Sequence, residues 1–143
     1  MCIIQLNRVT RLIQFGGVGL ISFNDFIAEN GIPIYLQILR HIKRGVVSGS
    51  VQNGDELPSR RVLSALLGIN PNTIQKAYKL LEDEGLIESR AGAKSYMSLD
   101  DEKKERIRIQ LLENDVGSIV SSLKQMGLSK EDAVSLIEKH WEN

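Results

Sequence analysis

The sequence has few of the residues on which several classes of protein depend. Only one of its 143 residues is a cysteine, Cys2, so no disulfide can form within the chain and a reducing compartment is expected. The two histidines, His41 and His140, are far apart in sequence and have no ligand cluster around them, which argues against a metal site. The formal net charge is zero, so net charge alone indicates no anionic partner.

Long hydrophobic runs are also lacking. Asn7, Arg8 and Arg11 interrupt the apolar start of the chain before about 18 apolar residues accumulate, the length that a membrane span requires. The start also lacks the basic-then-apolar order of a signal peptide, so we expect a cytoplasmic protein without a membrane partner. No catalytic triad, metal-spaced set or glycine-rich phosphate loop occurs, so we expect no enzymatic activity and no cofactor.

Charge is distributed unevenly along the chain. Pro33–Ser98 contains nine Lys and Arg residues against six Asp and Glu, whereas Leu99–Asn143 contains seven against ten. A mildly basic body followed by an acidic segment is compatible with nucleic-acid binding.

The first 32 residues have the least informative pattern. Their apolar residues mix helical and strand spacing, and the run ends at Gly16-Gly17-Val18-Gly19. One interpretation is a loosely attached N-terminal arm. The other is that translation begins later, at Leu20, because a purine-rich ribosome-binding site would be translated as Gly-Gly-Val.

Three helices are predicted after this segment. The first begins at Pro33 and runs about 15 residues to a stop near Gly49. Ser59 is the predicted N-cap of the second, and Gly68 ends it. Asn70 is the predicted N-cap of the third, with Pro71 at its first position. The apolar positions of the second and third helices are Val62, Leu63, Leu66 and Leu67, and then Ile74, Ala77, Tyr78 and Leu81.

A short hairpin and two further helices complete the prediction. Leu86–Glu88 and Ser95–Leu99 are predicted strands, joined by a tip at Arg90–Lys94. A long helix follows from Asp100 to Gly127, and Ser129 caps a final one. The apolar positions of the long helix are Ile107, Leu111, Leu112, Ile119, Val120 and Leu123. The predicted class is mainly α with a small β-hairpin: a winged helix-turn-helix at residues 33–98, an arm at 1–32 and a two-helix segment at 99–143.

The third helix has the side chains that read DNA. Burial of its apolar face turns Asn72, Lys76 and Lys79 outward, with Gln75 beside them. Asn and Gln can pair with adenine in the major groove, and Lys can reach guanine or phosphate. The free N–H groups of the helix start can also hold a phosphate. The alternative for the two lysines is an ordinary solvated face.

Basic residues flank this helix in sequence. Arg60 and Arg61 lie in the first turn of the second helix, where the helix dipole disfavours positive charge unless an anion is present. Salt bridges to Glu82–Glu84 are the alternative explanation. Gly92, flanked by Arg90 and Lys94, suits a tip that enters the minor groove, although a simple hairpin turn also explains it. His140 and Trp141 are interpreted as packing or interface residues.

These motifs together resemble the GntR family of bacterial transcription regulators. The resemblance rests on four segments in order, Pro33–Ile38, Gly54–Ser64, Asn70–Tyr78 and Leu81–Ile87. The Asn-Pro-Asn-Thr helix start and the short tail resemble the YtrA-type subgroup. The resemblance implies a dimeric repressor that binds a palindromic operator in double-stranded DNA, in a subgroup whose members often control transporter operons.

The resemblance also implies a DNA-binding role for individual residues. Arg61 corresponds to the DNA-contacting arginine of the family motif, and Gly92 to the wing-tip glycine. Arg60 replaces a commonly acidic residue, and the Ala-Gly-Ala-Lys wing is less basic than is common. By the same resemblance, the positions that open the recognition helix correspond to Asn70, Asn72 and Thr73, with Gln75 and Lys76 following. We expect Asn72, Thr73, Gln75 and Lys76 to read bases. The whole predicted DNA-binding set is Arg60, Arg61, Asn70, Asn72, Thr73, Gln75, Lys76, Lys79, Arg90, Gly92 and Lys94.

The segment after the winged helix is short. Leu99–Asn143 is too short to form a cavity that buries a drug-sized ligand. The sequence does not identify a small-molecule effector. Two helices cannot bury their apolar stripes alone, and pairing with a second copy is the simplest remedy. The alternative to a DNA-binding regulator is a winged-helix protein-interaction module without DNA specificity.

Overall fold

A computed structural model of the chain describes residues 19–90 and 94–143. Within those residues it has five helices and one antiparallel two-stranded hairpin, which confirms the predicted fold class. The elements are α1 (Ile34–Ser48), α2 (Arg60–Leu67), α3 (Pro71–Asp83), β1 (Ile87–Arg90), β2 (Lys94–Met97), α4 (Asp101–Gln125) and α5 (Lys130–Trp141). The chain divides into two compact units, Met1–Arg108 and Ile109–Asn143.

The predicted helix starts are confirmed by their capping hydrogen bonds. Ser59 Oγ accepts from the Val62 N–H at 3.1 Å, and Asn70 Oδ1 accepts from the Asn72 N–H at 2.8 Å. Each bond satisfies a backbone donor that the first helical turn leaves without a partner. Gly68 ends α2 in the left-handed conformation, with φ of 65°, which a residue without a Cβ adopts at little cost.

The core of the first unit lies among α1, α2 and α3. Its completely buried side chains are Ile38, Ile42, Leu63, Ile74, Ala77 and Leu81. The predicted apolar face of α3 is therefore confirmed. Of the four apolar positions on α2, Val62 and Leu66 are 55% and 58% exposed. This short helix buries only Leu63, so its other large apolar residues face away from the core.

The hairpin differs slightly from its predicted limits. In the observed register Ile87 pairs with Met97 and Arg90 pairs with Lys94. The two basic residues therefore form the last described pair of the ladder instead of belonging to the tip. The tip itself, residues 91–93 with Gly92, lies outside the described residues.

The described part of the predicted N-terminal arm is attached to the winged helix. The Ile21 N–H donates to Glu56 O at 2.9 Å, and the Glu56 N–H donates to Gly19 O at 2.8 Å. Ile21 and Phe23 are buried, so the prediction of a loose attachment is wrong from Gly19 to Phe23. Residues 1–18 lie outside the described residues, and the later start at Leu20 stays a prediction.

The second unit contains the last part of α4 and all of α5. Among the apolar positions named on α4, Ile107 and Leu111 are buried, whereas Leu112, Ile119 and Val120 are 42–52% exposed. An apolar groove of about 270 Å³ runs between the two helices, lined by Ile119, Leu123, Ala133, Leu136, Ile137, His140 and Trp141. Both His140 and Trp141 are exposed, Trp141 by 84%, so their interpretation as packing or interface residues stays a prediction. Among the described helices, none is both long enough and apolar enough to cross a membrane.

Candidate nucleic-acid interface

The outward face of α3 has the predicted polar residues. Because Ile74, Ala77, Tyr78 and Leu81 are buried, the opposite side of the helix is left to solvent. The exposed residues there are Asn72, Gln75, Lys76 and Lys79, and Thr73 is half-buried at their edge. A short polar ridge with exposed amide groups can present donors and acceptors to base edges in a major groove.

Asn70, a predicted DNA-binding residue, also caps the helix that carries this ridge. Its Oδ1 accepts the Asn72 N–H at 2.8 Å, so this oxygen is engaged by the helix itself. Asn70 therefore fixes where α3 begins and how Asn72 and Thr73 are presented.

Tyr78 connects the ridge to the start of α2. Its hydroxyl, on a side chain only 2% exposed, donates to Pro58 O at 2.6 Å. Burial raises the pKa of Tyr78, and the nearby Arg60 charge lowers it by less, so the hydroxyl stays a donor. The bond holds the Pro58-Ser59 turn, and with it the first turn of α2, against the middle of α3.

Arg60 and Arg61 are presented by that turn. Both are exposed, and no hydrogen bond or ion pair joins either guanidinium to another residue within 19–90 and 94–143. Among the described residues, neither arginine forms the salt bridge to Glu82–Glu84 that was the alternative explanation. Instead, Glu84 pairs with Lys43 at 2.9 Å and Asp83 with Lys79 at 2.9 Å. The two arginines are therefore available to an anion.

The two predicted lysines of α3 have partners within the protein. The Lys79 ammonium is 2.9 Å from Asp83 Oδ1, and this hydrogen bond raises the pKa of Lys79. The Lys76 ammonium lies 4.0 Å from the centroid of the Tyr35 ring on α1. Both side chains are exposed at the surface of α3, so these contacts orient them without removing them from solvent.

The basic residues of the hairpin are held in a similar way. The Arg90 guanidinium carbon lies 4.6 Å from the centroid of the Tyr96 ring, and the Lys94 ammonium is 3.7 Å from Glu56 Oε1. Since Arg90 and Lys94 are paired across the ladder, they place two positive charges at the same end of the hairpin.

Tyr35, Tyr96 and Glu56 were not among the predicted site residues. Tyr35 and Lys76 are far apart in the chain, and no local spacing pairs an aromatic ring with a distant cation. The Lys79–Asp83 pair is different, because an i, i+4 spacing on a helix is a signal that the sequence contains.

Comparison with known proteins gives the arrangement a context. The sequence profile described as "Bacterial regulatory proteins, gntR family" matches residues 34–96. The chain is 38% identical over 111 residues to the HTH-type transcriptional repressor YtrA of Bacillus subtilis (strain 168), covering 78% of this chain and 81% of the relative.

Two solved structures are also similar. A GntR family transcriptional regulator from Listeria monocytogenes has a TM-score of 0.68 and 30% identity, covering 78% of this chain and 98% of its own. YtrA from Sulfolobus acidocaldarius, a GntR-family transcription factor, has a TM-score of 0.50 and 30% identity, covering 66% of this chain and 99% of its own.

Proposed function

The chain belongs to the gntR family of bacterial regulatory proteins, and from this premise we propose that it is a homodimeric repressor of a palindromic operator. It is a DNA-binding transcriptional regulator with a winged helix-turn-helix, and not an enzyme. Repression is supported by the similarity to a Bacillus subtilis protein that is named a repressor.

One observation supports the DNA-binding site above all others. The exposed polar ridge of α3 and the exposed Arg60 and Arg61, which have no ion-pair partner among the described residues, are joined by the buried Tyr78–Pro58 hydrogen bond. We assign Asn72, Thr73 and Gln75 to base edges, and Arg60 and Arg61 to phosphates. Arginine suits the second role because its planar fork can form two parallel bonds to one phosphate group.

The other predicted site residues, apart from Lys76, extend this assignment. Lys79 and Lys94 exchange their carboxylate partners for phosphates, which is favourable because exposed ion pairs contribute little. Asn70 fixes the start of the reading helix, and Arg90 and Gly92 belong to the wing. Residues 33–98 then form the DNA-binding domain.

Dimer formation is assigned to residues 99–143. The side chains of α4 that recur every three or four residues are Ile109, Leu112, Val116, Ile119 and Leu123, and the first four are 44–56% exposed. This alternating spacing is the pattern by which two helices pair along a continuous apolar seam. A symmetric dimer would cover the seam and match the two-fold symmetry of a palindrome.

Location and target follow from the same assignment. We place the protein in the cytoplasm, where the bacterial chromosome lies. The resemblance to the YtrA-type subgroup supports a transporter operon as the target.

A winged-helix protein-interaction module is the second candidate. It is favoured by Val62 and Leu66, which lie one turn apart on α2 and are more than half exposed.

Substitution of Arg61 tests the assigned docking. Arg61→Ala should weaken binding to every DNA sequence. It should also reduce the slope of log K against log salt concentration by the amount that about one phosphate contact contributes. Arg106→Ala is the matched control, because Arg106 is an exposed arginine on α4 outside the site.

Asn72→Ala should instead change which base is preferred. Unchanged affinity of the Arg61 variant at several salt concentrations would contradict the assignment, and a flat salt response of the wild type would favour the protein-interaction module.

A further inference from the structure

Lys76 has an aromatic partner on another helix. Its ammonium lies 4.0 Å from the centroid of the half-buried Tyr35 ring. A cation at this distance over a ring face is attracted by the negative potential of the π system. The contact restricts a long, flexible side chain that would otherwise sample many rotamers in solvent.

The Tyr35 ring is a fixed support, because α1 is held against α3 at both ends. Tyr35 contacts Lys76, and Lys43 contacts Glu84. Lys43 follows Tyr35 by eight residues, and Glu84 follows Lys76 by eight residues. The Lys43 side chain is only 10% exposed, and its ammonium lies 2.9 Å from Glu84 Oε2. The two helices therefore run in the same direction.

Lys76 lies on the α1 side of the polar ridge. The Tyr78 hydroxyl contacts Pro58 and so marks the opposite side, next to α2. Viewed along α3, Gln75 lies toward that side and Asn72 between the two. The contact with Tyr35 therefore draws the Lys76 ammonium away from the centre of the ridge, where a base edge would lie, toward its border.

We propose that Tyr35 is a positioning residue that holds Lys76 as an anchor for a DNA phosphate. This inference rests on the proposed DNA-binding function, and it replaces the base-reading role predicted for Lys76 from the sequence. With one side of the ammonium against the ring, its N–H donors on the other side are directed outward. A lysine ammonium binds phosphate as a point charge, and an already ordered side chain loses less entropy when it does so.

The test is a double-mutant cycle on DNA binding. Tyr35→Leu, Lys76→Gln and the combined variant are compared with the wild type by fluorescence anisotropy at several salt concentrations. Two duplexes are used, the promoter region upstream of the protein's own gene and a scrambled sequence of equal length. Tyr35→Phe is the matched control, because it keeps the ring face and removes only the hydroxyl.

If Tyr35 holds Lys76 as a phosphate anchor, we expect four results. Tyr35→Leu weakens binding by about two- to fivefold, because Lys76 must then lose on binding the side-chain freedom that the contact already removes in the free protein, and Tyr35→Phe does not. The loss is equal on both duplexes, because phosphates are present in any sequence. Lys76→Gln reduces the salt slope by about one phosphate contact. In the Lys76→Gln background, Tyr35→Leu causes no further loss.

Other results would overturn the inference. Independent, multiplying losses in the cycle would make Tyr35 a structural residue only. A Lys76→Gln loss confined to the promoter duplex and to one base pair would make Lys76 a base reader. Thermal unfolding of each variant checks folding, and Tyr35→Met replaces Tyr35→Leu in the cycle if the leucine variant is unstable. If the wild type binds both duplexes equally, the proposed specific regulator fails, whereas the cycle on the scrambled duplex still tests Tyr35.

Discussion

The hydroxyl of Tyr78 should stabilise the fold by an amount that depends on pH. Tyr78 is 2% exposed, and its hydroxyl donates to the carbonyl oxygen of the buried Pro58 at 2.6 Å. Tyr78→Phe deletes the donor and leaves this oxygen without that partner. Such a loss costs about 1–3 kcal/mol of unfolding free energy at neutral pH.

The pH dependence follows from the raised pKa of Tyr78. Below pH 10.0, the ordinary value for tyrosine, both folded and unfolded states keep the proton, and the full contribution is present. Above it, the unfolded chain releases the proton while the buried hydroxyl keeps it, because burial raises the pKa of Tyr78. The wild type then loses up to about 1.4 kcal/mol per pH unit from this residue, and Tyr78→Phe loses none of it.

Urea unfolding followed by circular dichroism from pH 7 to pH 11 measures both effects. Protomer concentration is held constant, because the stability of an oligomer depends on it. Titration of lysines and other tyrosines affects both proteins, so the difference between them isolates Tyr78. Tyr96→Phe is a control, since within the described residues its ring contacts Arg90 but its hydroxyl has no hydrogen bond. Equal stability at pH 7, or parallel curves above pH 10, would refute this reasoning.

Two further substitutions test the packing of α1 and the pairing of α4. A Cβ on Gly45 would lie 2.5 Å from Val51 Cγ2, so Gly45→Ala should lower the unfolding free energy by about 1 kcal/mol, the overpacking cost less the gain in helix propensity. Thermal unfolding checks this, and a stabilised Gly45→Ala would show that Val51 moves freely. Val116→Glu should convert the proposed dimer to monomer in sedimentation velocity, whereas Asn114→Glu, on another side of the same helix, should not. Identical sedimentation of the two variants would contradict the assigned seam.

The helices of the winged helix were predictable because their signals are local. A capping side chain and the donor it satisfies lie two or three residues apart, as Asn70 and Asn72 do. The predicted length of α1, about 15 residues, agrees with the observed Ile34–Ser48, since apolar spacing and Gly49 act over single turns. The polar ridge was predictable for the same reason, because burial of Ile74 and Leu81 determines which side of α3 faces solvent.

The features that were missed depend on contacts between distant segments. Pairing of Gly19–Ile21 with Glu56 joins residues more than thirty apart, and no periodicity in the first segment marks it. The exposure of Val62 depends on how little of α2 reaches the core, which helical spacing does not specify. The contact between Lys76 and the Tyr35 ring likewise depends on how α1 and α3 are packed.

The most direct test of the account is DNA binding by the wild-type protein. Fluorescence anisotropy would compare the promoter region upstream of its own gene with scrambled DNA at two salt concentrations. The account predicts promoter binding at least about a thousandfold tighter than scrambled binding, with both weakened by salt. Absence of binding to either DNA at low salt would contradict it.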